Sequence, residues 1–236
     1  MDVLKLRVTV PDAPLSFDAS DNSAAVIAGE AVQMHIDAVD SSGNVANMNI
    51  GVSTSVSRTI DSSETGLPST FTLSGGSAVR GINLNRVSGT QSGTVFRLAI
   101  RGYTTDYTLY TYFQVTGSIE GLVGGTTGCG HQIVANDHFV ALPVSGLCNT
   151  RVIVANRATG ASDTVPKLDA GPHYPGGRCD PTGTQGGDPY WNTGTRPRVE
   201  SQSCESGNNN AGIDLADGTA SRIGIVGIGT VVWRFQ

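Results

Sequence analysis

Charge is scarce in this chain: Asp, Glu, Lys and Arg make up 15% of its 236 residues, and the 15 Lys and Arg are scattered. Nucleic-acid binding needs a basic stripe or patch, so no nucleic-acid partner is expected. The net charge of −5 argues equally against electrostatic attachment to an anionic membrane. No apolar run approaches the roughly 18 residues of a spanning helix. Few stretches combine Leu, Glu, Lys and Ala at helical spacing, which excludes a mainly helical fold. Close cysteine pairs of the C-x2-C kind, the usual mark of a zinc site, are absent. The opening Met1-Asp2-Val3-Leu4-Lys5 does not read as a signal peptide. The expectation is that a signal has been removed, or that export follows another route, such as release in a virion by lysis.

What the chain has instead is 31 glycines together with plentiful Ser, Thr, Asn and Val, the composition of short strands joined by turns. Its four cysteines, Cys129, Cys148, Cys179 and Cys204, all lie in the second half. An even number in a Gly-rich, Lys-poor β protein points to two disulfides and an extracellular or cell-surface location, with a metal site or free thiols as the alternatives.

Period-two alternation runs through the first half. Val32, Met34, Ile36 and Ala38 fall on one face of a strand, and Gln33, His35 and Asp37 on the other. Phe71 and Leu73, then Phe96, Leu98 and Ile100, then Tyr107, Leu109, Thr111, Phe113 and Val115 repeat the pattern. Strands so spaced, with turn signals at Ser42-Gly43-Asn44 and Gly75-Gly76, read as a β-sandwich. Tyr103, Tyr107, Tyr110 and Tyr112 read as core and sheet-face packing, with an aromatic contact surface as the alternative. His35 reads as a solvated side chain. The stretch Ala28-Gly29-Glu30 through Gly43-Asn44-Val45, with Phe71 to Leu84, resembles bacterial Ig-like domains. That resemblance implies a spacer, adhesion or assembly module over residues 1–118.

The second half, 119–236, opens with a Gly/Thr/Ser-rich stretch, Gly117 to Gly128, read as a linker leading into the next domain. Cys129-Gly130-His131, Asn136-Asp137-His138-Phe139-Val140-Ala141-Leu142, Leu147-Cys148-Asn149-Thr150-Arg151-Val152-Ile153-Val154, Val165 to Pro172, Gly212-Ile213-Asp214-Leu215 and Gly229 to Phe235 follow in order. This ordered set resembles the double-psi β-barrel of expansins, barwin-like and RlpA-like proteins. The resemblance implies a six-stranded barrel with a long disulfide-closed insertion, and the pairs Cys129–Cys148 and Cys179–Cys204. Closing the polar insertion between Gly171 and Asn210 with the second pair would restrict an otherwise costly loop.

The resemblance also implies that Asp214 is the main functional carboxylate and that Asp169 lies across the groove from it. Two such acids suit glycosidic chemistry, one protonating the leaving oxygen and the other activating water or stabilising positive charge. The plain alternatives are a helix N-cap for Asp214 and a turn holder for Asp169. Tyr174, Tyr190 and Trp191 of the insertion could stack on sugar rings or pin the loop. His131 joins them as a substrate-binding candidate, and the spacing of His131, His173 and Asp169 demands no metal. The chain departs from the family where a His is usual beside Val140-Ala141-Leu142-Pro143, where an Asp is usual near Cys129, and at Ala216, where Ser is usual.

The expectation is therefore an all-β protein binding a cell-wall or extracellular polysaccharide, without a cofactor. Any activity would be a weak peptidoglycan lytic transglycosylase, a glycoside hydrolase-like or a wall-loosening action. The alternative is a structural subunit of an extracellular filament or virion appendage, self-associating through both β domains.

Overall fold

A computed structural model describes residues 5–57, 66–84, 93–142, 146–171 and 211–236. These residues form fourteen strands and one short helix, so the chain is all-β. Tyr174, Tyr190, Trp191, His173, Cys179 and Cys204 lie outside the described residues. The chain divides into two compact units, one ending at Thr111 and the other beginning at Tyr112.

The first unit has two antiparallel sheets. One is β1 (Lys5–Thr9), β4 (Ala31–Val39) and β7 (Ser77–Asn83), in that order. The other joins β2 (Leu15–Ser20), β3 (Ser23–Ile27), β5 (Ile50–Ser57), β6 (Thr70–Leu73), β8 (Gly93–Ile100) and the first part of β9 (Tyr103–Ile119). Alternation decides which face each strand buries. Met34, Ile36 and Ala38 of β4 are fully buried and share one core with Val52, Leu73, Phe96, Leu98 and Leu109 of the other sheet. This is the sandwich that the alternation predicts. Of the tyrosines, Tyr107 and Tyr112 are buried and Tyr103 is exposed.

The second unit is built from the later part of β9, β10 (Val140–Leu142), β11 (Arg151–Asn156), β12 (Ser162–Ala170), β13 (Ala211–Leu215) and β14 (Ile228–Phe235). Its pairings run β13–β10, β10–β12, β12–β11, β11–β14, β14–β9 and β9–β13, so six strands close on themselves. Closure leaves no free edge. The pairs β10–β12 and β9–β13 are parallel, and the other four are antiparallel. Its interior holds Val140, Leu142, Val152, Val154, Ile213, Leu215, Val231 and Trp233, all at 0% exposure.

The Gly117–Gly128 linker expected from composition is corrected in its first part. Gly117, Ser118 and Ile119 are strand residues, paired with β13 on one side, while Gly117 and Ser118 pair with β14 on the other. Gly117 is there for close packing: a Cβ would stand 3.1 Å from Val231 Cγ2 and 3.3 Å from Leu215 Cδ1.

The helix, α1 (Asp217–Ile223), follows β13 after Ala216, which occupies the N-cap position without a side-chain cap. It presses tightly on the loop before β10. A Cβ on Gly218 would lie 2.3 Å from the Asn136 carbonyl oxygen and 2.5 Å from that of Asp137. Gly218→Ala is expected to destabilise the protein by about 1–3 kcal/mol, because backbone must shift to admit one methyl group. A urea titration showing no loss of stability would contradict this close approach.

Candidate functional site

Three carboxyl groups gather on the barrel. Ala141 of β10 is in register with Asp169 of β12 and with Asp214 of β13. The two acids therefore stand on the strands flanking β10, roughly 10 Å apart at Cα from the spacing of two strand intervals. The third is Glu120, one residue beyond the end of β9, whose N–H donates to Leu215 O at 2.8 Å. Because β9 and β13 run parallel with Leu215 opposite Ile119, Glu120 stands two residues beyond the pair Ser118–Asp214.

Each acid has its own environment. Asp214 accepts a hydrogen bond from the Ser118 hydroxyl. Asp169 Oδ1 accepts backbone N–H bonds from Gly128 at 2.7 Å and from Ala170 at 2.8 Å. Glu120 is half-buried, and its Oε2 is sealed from solvent without a hydrogen-bond partner. Burial, then a hydrogen bond to Asp169, then the charges of Asp169 and Asp214 push the Glu120 carboxyl up to about 8.

Glu120, with no donor on Oε2 and its carboxyl pushed up to about 8, holds its proton near neutral pH. The result is a neutral acid with two further carboxyl groups on nearby strands, which is a set able to carry general acid–base chemistry.

Lys167 stands two residues before Asp169 on the same side of β12. It is 1% exposed, and its Nζ donates to Gly146 O. Burial pulls its ammonium below the ordinary value, and the Asp169 charge opposes that pull.

Of the residues singled out in the sequence, Asp214 and Asp169 are brought to one site. Asp214 is not a helix N-cap, since it lies within β13 and Ala216 takes the cap position. Asp169 does more than hold a local turn, because one of its donors, Gly128, comes from 41 residues earlier in the chain. His131 lies on the loop that carries Gly128. Its Nε2 meets Asp137 Oδ2 at 2.9 Å, and its ring stands edge-on to Phe139 with centroids 6.0 Å apart. Burial would raise the Asp137 carboxyl, yet the Val134 N–H and His131 hold it below its ordinary value. His138 pairs with Asp163 at 2.7 Å. The Cys129–Cys148 pairing implied by the resemblance is present, with Cα atoms 5.8 Å apart.

Glu120 was missed because it sits in a stretch that reads as linker. A signal existed: it is the sole Asp, Glu, Lys or Arg between Asp106 and Asp137. Among the described residues no group of three or more His, Cys, Asp or Glu side chains is arranged to hold a metal ion. No described helix is long and apolar enough to cross a membrane. Neither a protein-family model nor a curated protein matches the chain.

Proposed function

We propose that the second unit is a double-psi β-barrel of the expansin and RlpA-like kind that binds a cell-wall or extracellular polysaccharide and acts on its glycosidic bonds. One observation carries this reading: the register of β10 with β12 and β13 brings Asp169 and Asp214 to one site, where Glu120, its carboxyl pushed up to about 8 chiefly by burial, stays protonated near pH 7. In this reading Glu120 protonates the leaving oxygen and Asp214 stabilises the positive charge that develops at the sugar. Ser118 orients Asp214. The closed ring of six strands and the Cys129–Cys148 disulfide are consistent with such a barrel in an oxidising, extracellular setting. The first unit then serves as an Ig-like spacer.

The test is incubation with peptidoglycan, cellulose and chitin, measuring bound protein and released fragments. Glu120→Gln and Asp214→Asn are each expected to cut fragment release on the order of a hundredfold, with binding retained. Release should also decline above pH about 8, where Glu120 ionises. Binding to none of the three polymers, with no fragments, would sink the reading.

A second reading, a structural subunit of an extracellular filament or virion appendage, is favoured by a different feature. Among the described strands β1 pairs only with β4, and a cavity of about 590 Å³ runs along it, lined by Lys5 to Pro11 and by Ala19 to Ala24. An edge strand beside a cleft is a place where another strand can be added. Sedimentation velocity separates the two: a monomer supports the polysaccharide-directed barrel, and polymers support the subunit.

A further inference from the structure

The sequence of β1 alternates strictly: Leu6 and Val8 are buried in the sandwich core, and Lys5, Arg7 and Thr9 are exposed. Which of its backbone groups face outward follows from its partner. The Ala38 N–H donates to Gly76 O and the Ala38 carbonyl accepts from Ala46 N–H, both at 2.8 Å, so the backbone of Ala38 turns away from β1. Leu6 lies opposite Ala38, and Val8 opposite Ile36 two residues on. Both are therefore non-hydrogen-bonded pairs of the antiparallel ladder, and the N–H and C=O groups of Leu6 and Val8 point away from β4. Among the described residues one of these four groups has a partner: Leu6 O accepts from the Thr105 hydroxyl at 3.4 Å. Leu6 N–H, Val8 N–H and Val8 O remain open, in a row beside the cleft of about 590 Å³.

The cleft states what would fill it. Its apolar lining is small, with Val10, Ala13, Ala19 and Ala24 around the buried Tyr107. On the outer face Arg7 is bound to Asp37 at 2.7 Å, whereas Lys5 has no acidic partner among the described residues. Asp21 stands on the hairpin between β2 and β3 that forms the facing wall, so further acids are tolerated on the β1 side and not on that one. A second β1 fits poorly. Antiparallel pairing of Leu6 with Val8 sets Arg7 opposite the same residue of the copy, and pairing Leu6 with itself sets Lys5 opposite Arg7. Like charges directly opposite destabilise a strand pair, and opposite charges stabilise it.

We propose that the open edge of β1 takes up, as an added strand, an extended segment of a different protein in which acidic residues alternate with small apolar ones. Its backbone completes the ladder at Leu6 and Val8, its acids lie beside Lys5 and Arg7, and its apolar side chains enter the cleft. Main-chain bonds supply affinity in such strand addition, and the alternate side chains supply selectivity. The proposal needs neither of the functional readings above.

The test uses two synthetic peptides of about seven residues, enough to span β1, flanked by Gly and Ser and capped at both ends. In one, Glu alternates with Ala or Val; in the other, Lys replaces each Glu. Proton–nitrogen NMR of the intact chain follows the backbone amides during titration. With the Glu peptide the Leu6 and Val8 amides are expected to shift and to exchange more slowly, while the Arg7 amide, which faces β4, keeps its exchange rate. Lys5→Glu, at an exposed side chain, is expected to weaken the Glu peptide by about fivefold or more and to strengthen the Lys peptide. Absence of change at Leu6 and Val8 with either peptide overturns the proposal. Equal binding of the two peptides overturns the acidic partner. Polymers that form without peptide and protect the Leu6 and Val8 amides place a second copy in the cleft, and also overturn it. Fragment release and polymer formation, measured without peptide, decide the two earlier readings separately.

Discussion

Replacing Glu120 by Gln should make the protein progressively more stable than the wild type as pH rises from about 4.5 to about 8. The sign follows from linkage. Glu120 keeps its proton up to about 8 in the folded chain, against the ordinary carboxyl value of 4.5 in the unfolded one. Between these values the folded state holds a proton that the unfolded state has released, so stability falls with rising pH. The contribution is fully present below pH 4.5 and is lost by the time the pH has passed about 8. A Gln side chain stays neutral throughout and removes this dependence. The full interval would correspond to about 1.4 kcal/mol per unit. Glu120 is not fully buried, so solvent screening reduces that to an overall difference on the order of 3 kcal/mol. Urea unfolding of both proteins at half-unit steps from pH 4 to 9 measures it. All other titrating groups are common to the two chains, so the difference curve reports Glu120 together with its coupling to Asp169 and Asp214. Parallel curves would show that Glu120 titrates as an ordinary surface carboxyl and would remove the neutral acid from the site.

Much of the fold was legible in the sequence wherever one face of a strand is buried. Val32, Met34, Ile36 and Ala38 alternate with polar residues, and all four are buried as a row. The same holds for Phe96, Leu98 and Ile100. Legibility fails where burial is two-sided or where glycine serves packing. Thr111, Tyr112 and Phe113 are buried consecutively at the point where one compact unit gives way to the next, so the alternation of β9 offers no boundary mark there. Gly117 and Ser118 have the composition of a linker, yet a bare Cα at 117 is what admits Val231 and Leu215.

The site divides in the same way. Asp169 and Asp214 stand in ordered motifs, each close to other recognisable residues. Glu120 acquires its meaning only from register: β9 must run parallel to β13 for it to arrive beside Asp214, and no local pattern encodes that pairing. The hold on Asp169 is equally non-local: Gly128 donates to it from 41 positions away.

Trp233→Ala should cost the second unit about 3–5 kcal/mol, the range for deleting a large aromatic from a packed core. β14 is the strand to test because it pairs on both sides, with β9 and with β11. From Val231 to Phe235 every residue is buried, so the strand is covered on both faces as well as both edges. Trp233 has 0% exposure, and its ring meets Phe113 with centroids 5.3 Å apart and Phe235 at 5.1 Å nearly perpendicular. Such aromatic pairs add about 0.5–1.5 kcal/mol each beyond the area they bury. A small barrel has little to spare, since a domain is held by only about 5–15 kcal/mol in all. Because Phe113 belongs to β9 and Phe235 to β14, the indole joins the first and last strands of the ring. Its loss should therefore loosen ring closure at β9–β14 before the disulfide-tied end near Cys129 and Cys148. Hydrogen exchange resolved by residue checks this order: protection should fall first at Gln114, Val115, Val231 and Val232, and later at Val165 and Lys167. Uniform loss along all six strands would mean that the barrel opens as one cooperative body, with the indole contributing to its total stability and not to one seam.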